Sequence, residues 1–178
     1  CGIDESIERF RPVVEAARAA GVKVRAAISC ALGCPYQGEV SLDYVERVVL
    51  LMKDIGVQHV GVADTIGVGT ARRAQAAMER ALKHYPLDEV SGHFHDTYGQ
   101  ALANIHACLE AGVRVVDAAV SGTGGCPYAK GASGNVATED VVFMLQGMGL
   151  DTGVDLAALS ATGRWLAQLL GRDSGSKV

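Results

Sequence analysis

The feature that most constrains the fold of this chain is a regular alternation of short apolar segments with longer amphipathic ones. The apolar segments are short and rich in β-branched residues, as strands are, and the amphipathic segments repeat apolar residues at helical spacing. Strands that alternate with helices in this way predict a parallel sheet covered by helices. Four strands are predicted, over residues 22–29, 57–63, 90–95 and 113–120, and six helices, over residues 3–20, 42–54, 71–84, 100–111, 137–146 and 154–170.

Polar residues gather where the predicted strands end. Asp64, His93, His95, Asp96 and Ser121 all lie at such positions. In a (β/α)8 (TIM) barrel the chemistry takes place at the carboxyl ends of the strands, so this placement favours an α/β fold of that kind. A complete barrel needs eight strands and about 250 residues. Four strands therefore predict either half a barrel or a smaller open sheet.

Composition excludes several classes of protein. A hydrophobic content of 49% excludes a disordered chain. The net charge is −4 and lysines and arginines do not cluster, so nucleic acid is not an expected partner. No apolar run reaches the roughly 18 residues of a membrane span. The five cysteines, with no secretory signal before them, indicate a reducing compartment. The Ala- and Arg-rich helices indicate a bacterial source, so the expected location is the bacterial cytoplasm. Since the first residue is Cys, we expect further residues upstream.

A histidine pair is the first candidate for a functional site. His93 and His95 are two residues apart, and on a strand such residues point to the same face. Phe94 should then point toward the covering helices. Neutral imidazoles are common metal ligands, so a divalent metal is the leading hypothesis, and two satisfied histidines at a strand end are the alternative. The other three, His59, His84 and His106, are interpreted as surface or helix-packing residues.

A glycine-rich segment after the fourth strand is the second candidate. Residues 122–135 read GTGGCPYAKGASGN and contain five glycines. Cys126 lies between a glycine pair and a proline, where an accessible thiol fits better than a buried structural one. A thiol near a metal or an imidazole can transfer protons or act as a nucleophile. Of the other cysteines, Cys108 and Cys30 are interpreted as structural, and Cys34 is ambiguous.

Three more polar residues each have two interpretations. The amide oxygen of Asn135 could complete a metal shell beside two imidazoles, or the residue could cap a helix, as Asn often does. Glu139 could be a first-turn acid stabilised by the helix dipole or a partner of the site. For Asp64 we favour a role in the site over a turn-forming one. The predicted catalytic residues are thus Cys126, His93, Asp64 and Glu139.

These segments together resemble a known family, the 3-hydroxy-3-methylglutaryl-CoA lyases. The resemblance rests on GGCPYA at 124–129, GASGN at 131–135 and ATED at 137–140, and on HFHDTYGQALAN at 93–104. The segments SCALGCPY at 29–36 and DTIGVGT at 64–70 match as well. The Cys-Pro-Tyr segment is specific to that family, whereas His-x-His is shared with metal-dependent aldolases and acyl-CoA condensing enzymes.

The resemblance implies a fold, a cofactor and a reaction. Residues 1–153 would be the C-terminal half of a TIM barrel, about four β/α units, and residues 154–178 a C-terminal helix with a frayed tail. His93, His95 and Asn135 would hold Mg²⁺ or Mn²⁺. The implied reaction is the retro-Claisen cleavage of 3-hydroxy-3-methylglutaryl-CoA to acetyl-CoA and acetoacetate, with Cys126 as the family's loop thiol. We further expect an acyl-CoA substrate and a homo-oligomer, a dimer.

One part of the family's site has no match in this sequence. The resemblance implies an Arg-Asp motif on the first barrel strand, which would supply a fourth ligand and an arginine, and no segment of the 178 residues resembles it. We therefore expect an incomplete site in this chain. Two alternatives remain: a related metal-dependent aldolase or 2-oxoacid acyl-CoA condensing enzyme, and an inactive half-barrel that acts only as an assembly module.

Overall fold

A parallel sheet of four strands forms the centre of the molecule, as the computed structural model shows. It describes residues 1–125 and 134–178. The strands are β1 (Arg25–Ile28), β2 (His59–Asp64), β3 (Val90–Phe94) and β4 (Val115–Asp117), and they lie side by side in chain order. Every neighbouring pair is parallel. Strictly sequential order, without a reversal, is the order of consecutive units in a (β/α) barrel.

Helices connect the strands and flank the sheet. They are α1 (Ile3–Ala19), α2 (Leu42–Asp54), α3 (Ala71–Leu82), α4 (Ala101–Glu110), α5 (Thr138–Gly147) and α6 (Leu156–Leu169). Ser41 begins α2 as predicted, since its side chain accepts a hydrogen bond from the Tyr44 N–H. Gly56 and Gly112 lie at positive φ just beyond α2 and α4, where a glycine ends a helix easily.

The main hydrophobic core lies between the sheet and the helices. Val60, Val62, Val90 and Phe94 are fully buried on the strands, and Met78 of α3 packs with them. Gly92 leaves the space that the Phe94 ring occupies, because a Cβ at Gly92 would lie 2.6 Å from that ring. Phe94 therefore points toward the helices, as predicted, and its neighbours His93 and His95 point to the opposite side.

The strands are shorter than the sequence predicts, most of all the fourth. The apolar run over 113–120 predicts eight residues of strand, but β4 ends at Asp117. A short 3-10 turn, Val120–Gly122, follows, and Ser121 in it has φ of +58°. The apolar run is longer than the strand. Its last residues lie in and before the turn, which packs against α6.

The C-terminal residues make hydrogen bonds with the rest of the chain, in contrast to the frayed tail that the sequence predicts. The Gly175 N–H donates to the Ser121 carbonyl at 3.1 Å. Ser176 and Lys177 both donate to the Asp140 carboxylate, at 2.6 and 2.8 Å. Small polar residues at a chain end fray when they have no partners. Here α5 and the turn after β4 provide hydrogen-bond partners. Within residues 1–125 and 134–178, no helix has the length and apolar character needed to cross a membrane.

Candidate metal site at the carboxyl edge of the sheet

The two histidines of the predicted pair converge at the carboxyl end of β3. His93 lies in the strand and His95 follows it directly. Their ring centroids are 5.5 Å apart, and the ring planes are inclined at 50°. His95 is 5% exposed, whereas a third of the His93 side chain is exposed. The strand spacing thus brings both imidazoles to one face, as the sequence predicts.

Asn135 lies beside His95 because a short segment extends the sheet pairing. The Val136 N–H donates to the Phe94 carbonyl and the Asp96 N–H donates to the Gly134 carbonyl, at 3.1 and 3.2 Å. These bonds place Asn135 opposite His95 in an antiparallel bridge. Helix α5 begins at Thr138 with Ala137 as its N-cap, so the helix-cap interpretation of Asn135 is wrong.

The amide of Asn135 is oriented, and its oxygen is buried. Its Nδ2 donates to the Thr123 carbonyl at 3.0 Å, which fixes which end of the amide carries the oxygen. Oδ1 is buried and has no hydrogen-bond partner among the described residues. A buried carbonyl oxygen without a partner is unfavourable by itself, and a bound ligand would remove that penalty.

The donor set fits a divalent cation. Two imidazole nitrogens of intermediate hardness and one hard amide oxygen form a mixed donor set, which Mn²⁺ and Mg²⁺ accept when further oxygen ligands complete the shell. In the described part of the chain, no three residues of the His, Cys, Asp and Glu types form a metal-binding group. The candidate site consists of two residues of these types, His93 and His95, together with Asn135, so that absence and the candidate site agree.

A carboxylate that the sequence did not predict contacts His93. Asp117, the last residue of β4, is paired with His93 in the parallel register. Its Oδ2 lies 3.2 Å from His93 Nδ1. Burial by itself would raise the pKa of Asp117, but the hydrogen bond with His93 and the Arg25 guanidinium outweigh it and lower that pKa below its usual value. A single acidic residue inside an apolar strand segment was the only signal in the sequence.

Asp64 organises the loop next to His95. Its carboxylate oxygens accept hydrogen bonds from the Val68 and Gly69 N–H groups, at 3.1 and 2.8 Å, and its carbonyl accepts from the His95 N–H at 3.3 Å. Burial raises the pKa of Asp64, and the backbone donors act against that rise. These contacts favour the turn-forming interpretation over the catalytic role predicted from the sequence.

Glu139 also binds backbone instead of facing the histidines. It is 1% exposed in the first turn of α5, and both its oxygens accept from the Ser121 N–H at 3.0 Å. It therefore holds the turn that leads to Thr123, whose carbonyl orients Asn135. The contacts are those of a residue that positions the site, and they give no support to the predicted catalytic role.

Three of the cysteines differ in what the structure shows of them. Cys126 lies in residues 126–133, outside the described residues, so its predicted role stays a prediction. Cys108 is fully buried and burial raises its pKa to about 12, in line with the structural interpretation. Cys34 has a lowered pKa because the N–H groups of Tyr36 and Gln37 donate to its sulfur.

Comparison with known proteins identifies the family. The sequence model of the HMGL-like family matches residues 1–166. Over all 178 residues the chain is 51% identical to the mitochondrial hydroxymethylglutaryl-CoA lyase of Gallus gallus. It is 50% identical to the 3-hydroxy-3-isohexenylglutaryl-CoA/hydroxy-methylglutaryl-CoA lyase of Pseudomonas aeruginosa. The chain spans 60% and 59% of the lengths of these two relatives.

Solved structures agree with the fold. The chain matches the crystal structure of hydroxymethylglutaryl-CoA lyase from Pseudomonas aeruginosa with a TM-score of 0.93, over 99% of this chain and 59% of that one. It is 34% identical to an HMG-CoA lyase from Acenitobacter baumannii in complex with coenzyme A and 3-methylmalate, with a TM-score of 0.93 over 98% of this chain and 57% of that one. The carboxyl transferase domain of Rhizobium etli pyruvate carboxylase, 22% identical with a TM-score of 0.73, shares the fold alone.

These matches confirm the prediction of a partial barrel. The chain, with its four sequential parallel strands, spans about three fifths of the matched lyase structures. The chain belongs to the HMGL-like family.

Proposed function

We propose that this chain forms the histidine and asparagine part of the active site of a divalent-metal-dependent lyase that cleaves 3-hydroxy-3-methylglutaryl-CoA to acetyl-CoA and acetoacetate. The observation that carries the proposal is the convergence of His93, His95 and Asn135, with the Asn135 oxygen buried and without a partner among the described residues. That arrangement occurs in a chain about half identical to named lyases.

The reaction needs one bond to break and one proton to change place. The C2–C3 bond of the substrate breaks while the 3-hydroxyl loses its proton, so that C3 becomes the ketone carbon of acetoacetate. The electron pair of the broken bond remains on C2 as the enolate of acetyl-CoA, which then takes up a proton. Mg²⁺ or Mn²⁺ held by His93, His95 and Asn135 would supply the Lewis acid that polarises the substrate oxygens.

The residues of this chain divide the remaining work. Cys126 is our candidate for proton transfer at C2, because a thiol can donate and accept protons. To share that transfer, His93 would have to exchange a proton at a ring nitrogen. We therefore assign His93 mainly to metal binding. Glu139 and Thr123 hold the turn against which Asn135 is oriented.

The length of the chain limits what it can do alone. It spans about three fifths of the relatives' length, and no segment matches the Arg-Asp motif that the resemblance implies. The proposal therefore gives this chain a cation site that lacks the aspartate ligand and the arginine. Such a site should bind Mn²⁺ measurably but weakly.

The cation site can be tested without any activity. Mn²⁺ binding to the 178-residue chain is followed by electron paramagnetic resonance, since bound Mn²⁺ loses signal intensity. We expect His93→Ala, His95→Ala and Asn135→Ala each to weaken binding by at least about tenfold. His106→Ala is the matched control, because this histidine lies on α4 with a half-exposed side chain. Equal affinity in all four variants and the parent chain would refute the site.

The reaction needs a second experiment. The chain is fused behind the part of the Pseudomonas aeruginosa lyase that it does not match, and acetoacetate release from 3-hydroxy-3-methylglutaryl-CoA is measured with Mg²⁺ or Mn²⁺. We expect activity in the fusion that Cys126→Ser and His93→Ala abolish and that Cys108→Ser retains. Activity that survives both site changes would contradict the residue assignment.

Two further expectations, the location and the oligomeric state, belong to the same proposal. We place the protein in the bacterial cytoplasm as a homodimer. Support for association comes from large apolar side chains exposed on α5 and α6, where Phe143, Trp165 and Leu169 are 61%, 60% and 68% exposed. Light scattering on a size-exclusion column gives the mass in solution, and a monomer mass would overturn the dimer.

A further inference from the structure

An arginine reaches across the inner face of the sheet toward His93. Arg25 is the first residue of β1, yet its Nη2 donates to Ser91 Oγ on β3 at 2.7 Å. The same nitrogen contacts the Asp117 carboxylate on β4. One side chain thus links the first strand to the third and the fourth, on the face opposite the main core.

A glycine in the middle of β2 makes this crossing possible. Gly61 pairs with Ser91 in the register. A Cβ at Gly61 would lie 3.0 Å from Ser91 Oγ and 3.4 Å from Arg25 Nη2. Glycine weakens the interior of a strand, and its presence there often marks a close approach by another group. Here the group that approaches is the Arg25 guanidinium.

The arginine and the histidine share one carboxylate oxygen. Asp117 Oδ2 contacts both Arg25 Nη2 and His93 Nδ1. A carboxylate with a single partner can rotate about its last bond, whereas a second donor fixes its direction. Asp117 is therefore positioned to accept a hydrogen bond from an Nδ1–H of the imidazole, and Nε2 is left on the far side of the ring.

From this geometry we infer that Arg25 and Asp117 are positioning residues that lock the His93 imidazole with its proton on Nδ1 and Nε2 available as the metal donor. Asp117 acts on the ring directly and Arg25 acts through Asp117. The inference rests on the proposed cation site, because that site gives Nε2 its function. A metal-bound histidine commonly donates its other ring N–H to a carboxylate, and this partner sets the tautomer.

The tautomer can be observed in the metal-free protein. Long-range ¹⁵N–¹H correlation spectra of the histidine-labelled chain show which ring nitrogen carries the proton, and His93→Ala assigns the signal. We expect the Nδ1–H form in the parent chain. In Asp117→Ala we expect a change to the Nε2–H form, which prevails in an unconstrained histidine. In Arg25→Met we expect a mixture of the two.

A second readout is the affinity for Mn²⁺, again measured by electron paramagnetic resonance. We expect Asp117→Ala to weaken it by about 10- to 100-fold, as loss of such a partner typically does. Arg25→Met should weaken it less, and Arg25→Lys should recover part of the loss. Glu110→Ala is the matched control, because Glu110 pairs with His106 at 3.7 Å on the surface of α4. It should change neither the His93 signal nor the Mn²⁺ affinity.

The outcomes separate this inference from the proposed function. An Nε2–H form of His93 in the parent chain, or an unchanged tautomer in Asp117→Ala, overturns the inference even if Mn²⁺ binds. Absence of Mn²⁺ binding overturns the proposed site, while the tautomer still reports on Asp117. If Asp117→Ala does not fold, Asp117→Leu, which has a similar shape and no hydrogen-bond acceptor, replaces it and must give the same change to the Nε2–H form.

Discussion

Gly163 of α6 should not tolerate even a methyl group, because a buried carboxylate lies against it. A Cβ at Gly163 would come within 2.0 Å of Glu139 Oε1 and 3.2 Å of Glu139 Cδ. A flexible side chain would move away at little cost, but Glu139 is 1% exposed and both its oxygens accept from the Ser121 N–H. Displacing the carboxylate breaks those hydrogen bonds.

The size of the effect follows from two opposing contributions. Alanine is favoured over glycine inside a helix by up to about 1 kcal/mol. Loss of a buried hydrogen bond to a charged group costs about 1.5–3 kcal/mol, and the Ser121 N–H left without a partner adds about 1–3 kcal/mol. We therefore expect Gly163→Ala to lower the free energy of unfolding by about 1.5–6 kcal/mol.

Gly147→Ala is the matched control. Gly147 is the last residue of α5, it is exposed, and a Cβ there would meet no atom within 4 Å. We expect this change to leave stability unaltered or to raise it by up to about 1 kcal/mol. Urea unfolding followed by circular dichroism measures both variants. If Gly163→Ala proves as stable as Gly147→Ala, the carboxylate moves freely and the argument fails.

Three further predictions concern the charge of Glu46, the reactivity of two thiols and the contacts of Arg73. Arg80 and then His84 hydrogen-bond the Glu46 carboxylate and lower its pKa from 4.5 to about 2, so it stabilises the fold above pH 4.5 and loses that effect as the pH falls toward 2. Glu46→Gln should therefore lower the melting temperature at pH 7, and the difference should shrink over that range; a constant difference would contradict this. Iodoacetamide at neutral pH should label Cys34 in the folded chain and Cys108 only after unfolding. Peptide mass spectrometry measures both, and labelling of Cys108 in the folded chain at the rate of Cys34 would contradict the prediction. Arg73 Nε donates to the Leu32 carbonyl at 3.0 Å and its guanidinium also contacts the Val40 carbonyl, so Arg73→Met should speed proteolysis between Leu32 and Val40, whereas Arg72→Met should not.

Much of the fold was accessible from the sequence because its signals are local. The helix and strand order follows from periodicity, and α2 begins and ends at the predicted residues. The common face of His93 and His95 follows from the two-residue repeat of a strand alone. Such features need no knowledge of what packs where.

The rest of the site depends on contacts between distant segments. Asp117 meets His93 because β4 pairs with β3 in one particular register, and Arg25 joins them by passing close to Gly61. Glu139 binds Ser121 through the packing of α5 against the turn after β4. The C-terminal residues looked disordered because the partners that hold them, Ser121 and Asp140, lie far away in the sequence.

The pairing of residues 134–136 with the end of β3 separates ligand placement from the chemistry of the segment before it. Asn135 is fixed by bonds that involve Phe94, Asp96 and Thr123, and none of these lies in residues 126–133. Substitutions in that segment remove none of these three partners of Asn135. Under the proposed function, the reactive group can therefore vary in evolution or by design while these partners of the asparagine stay the same.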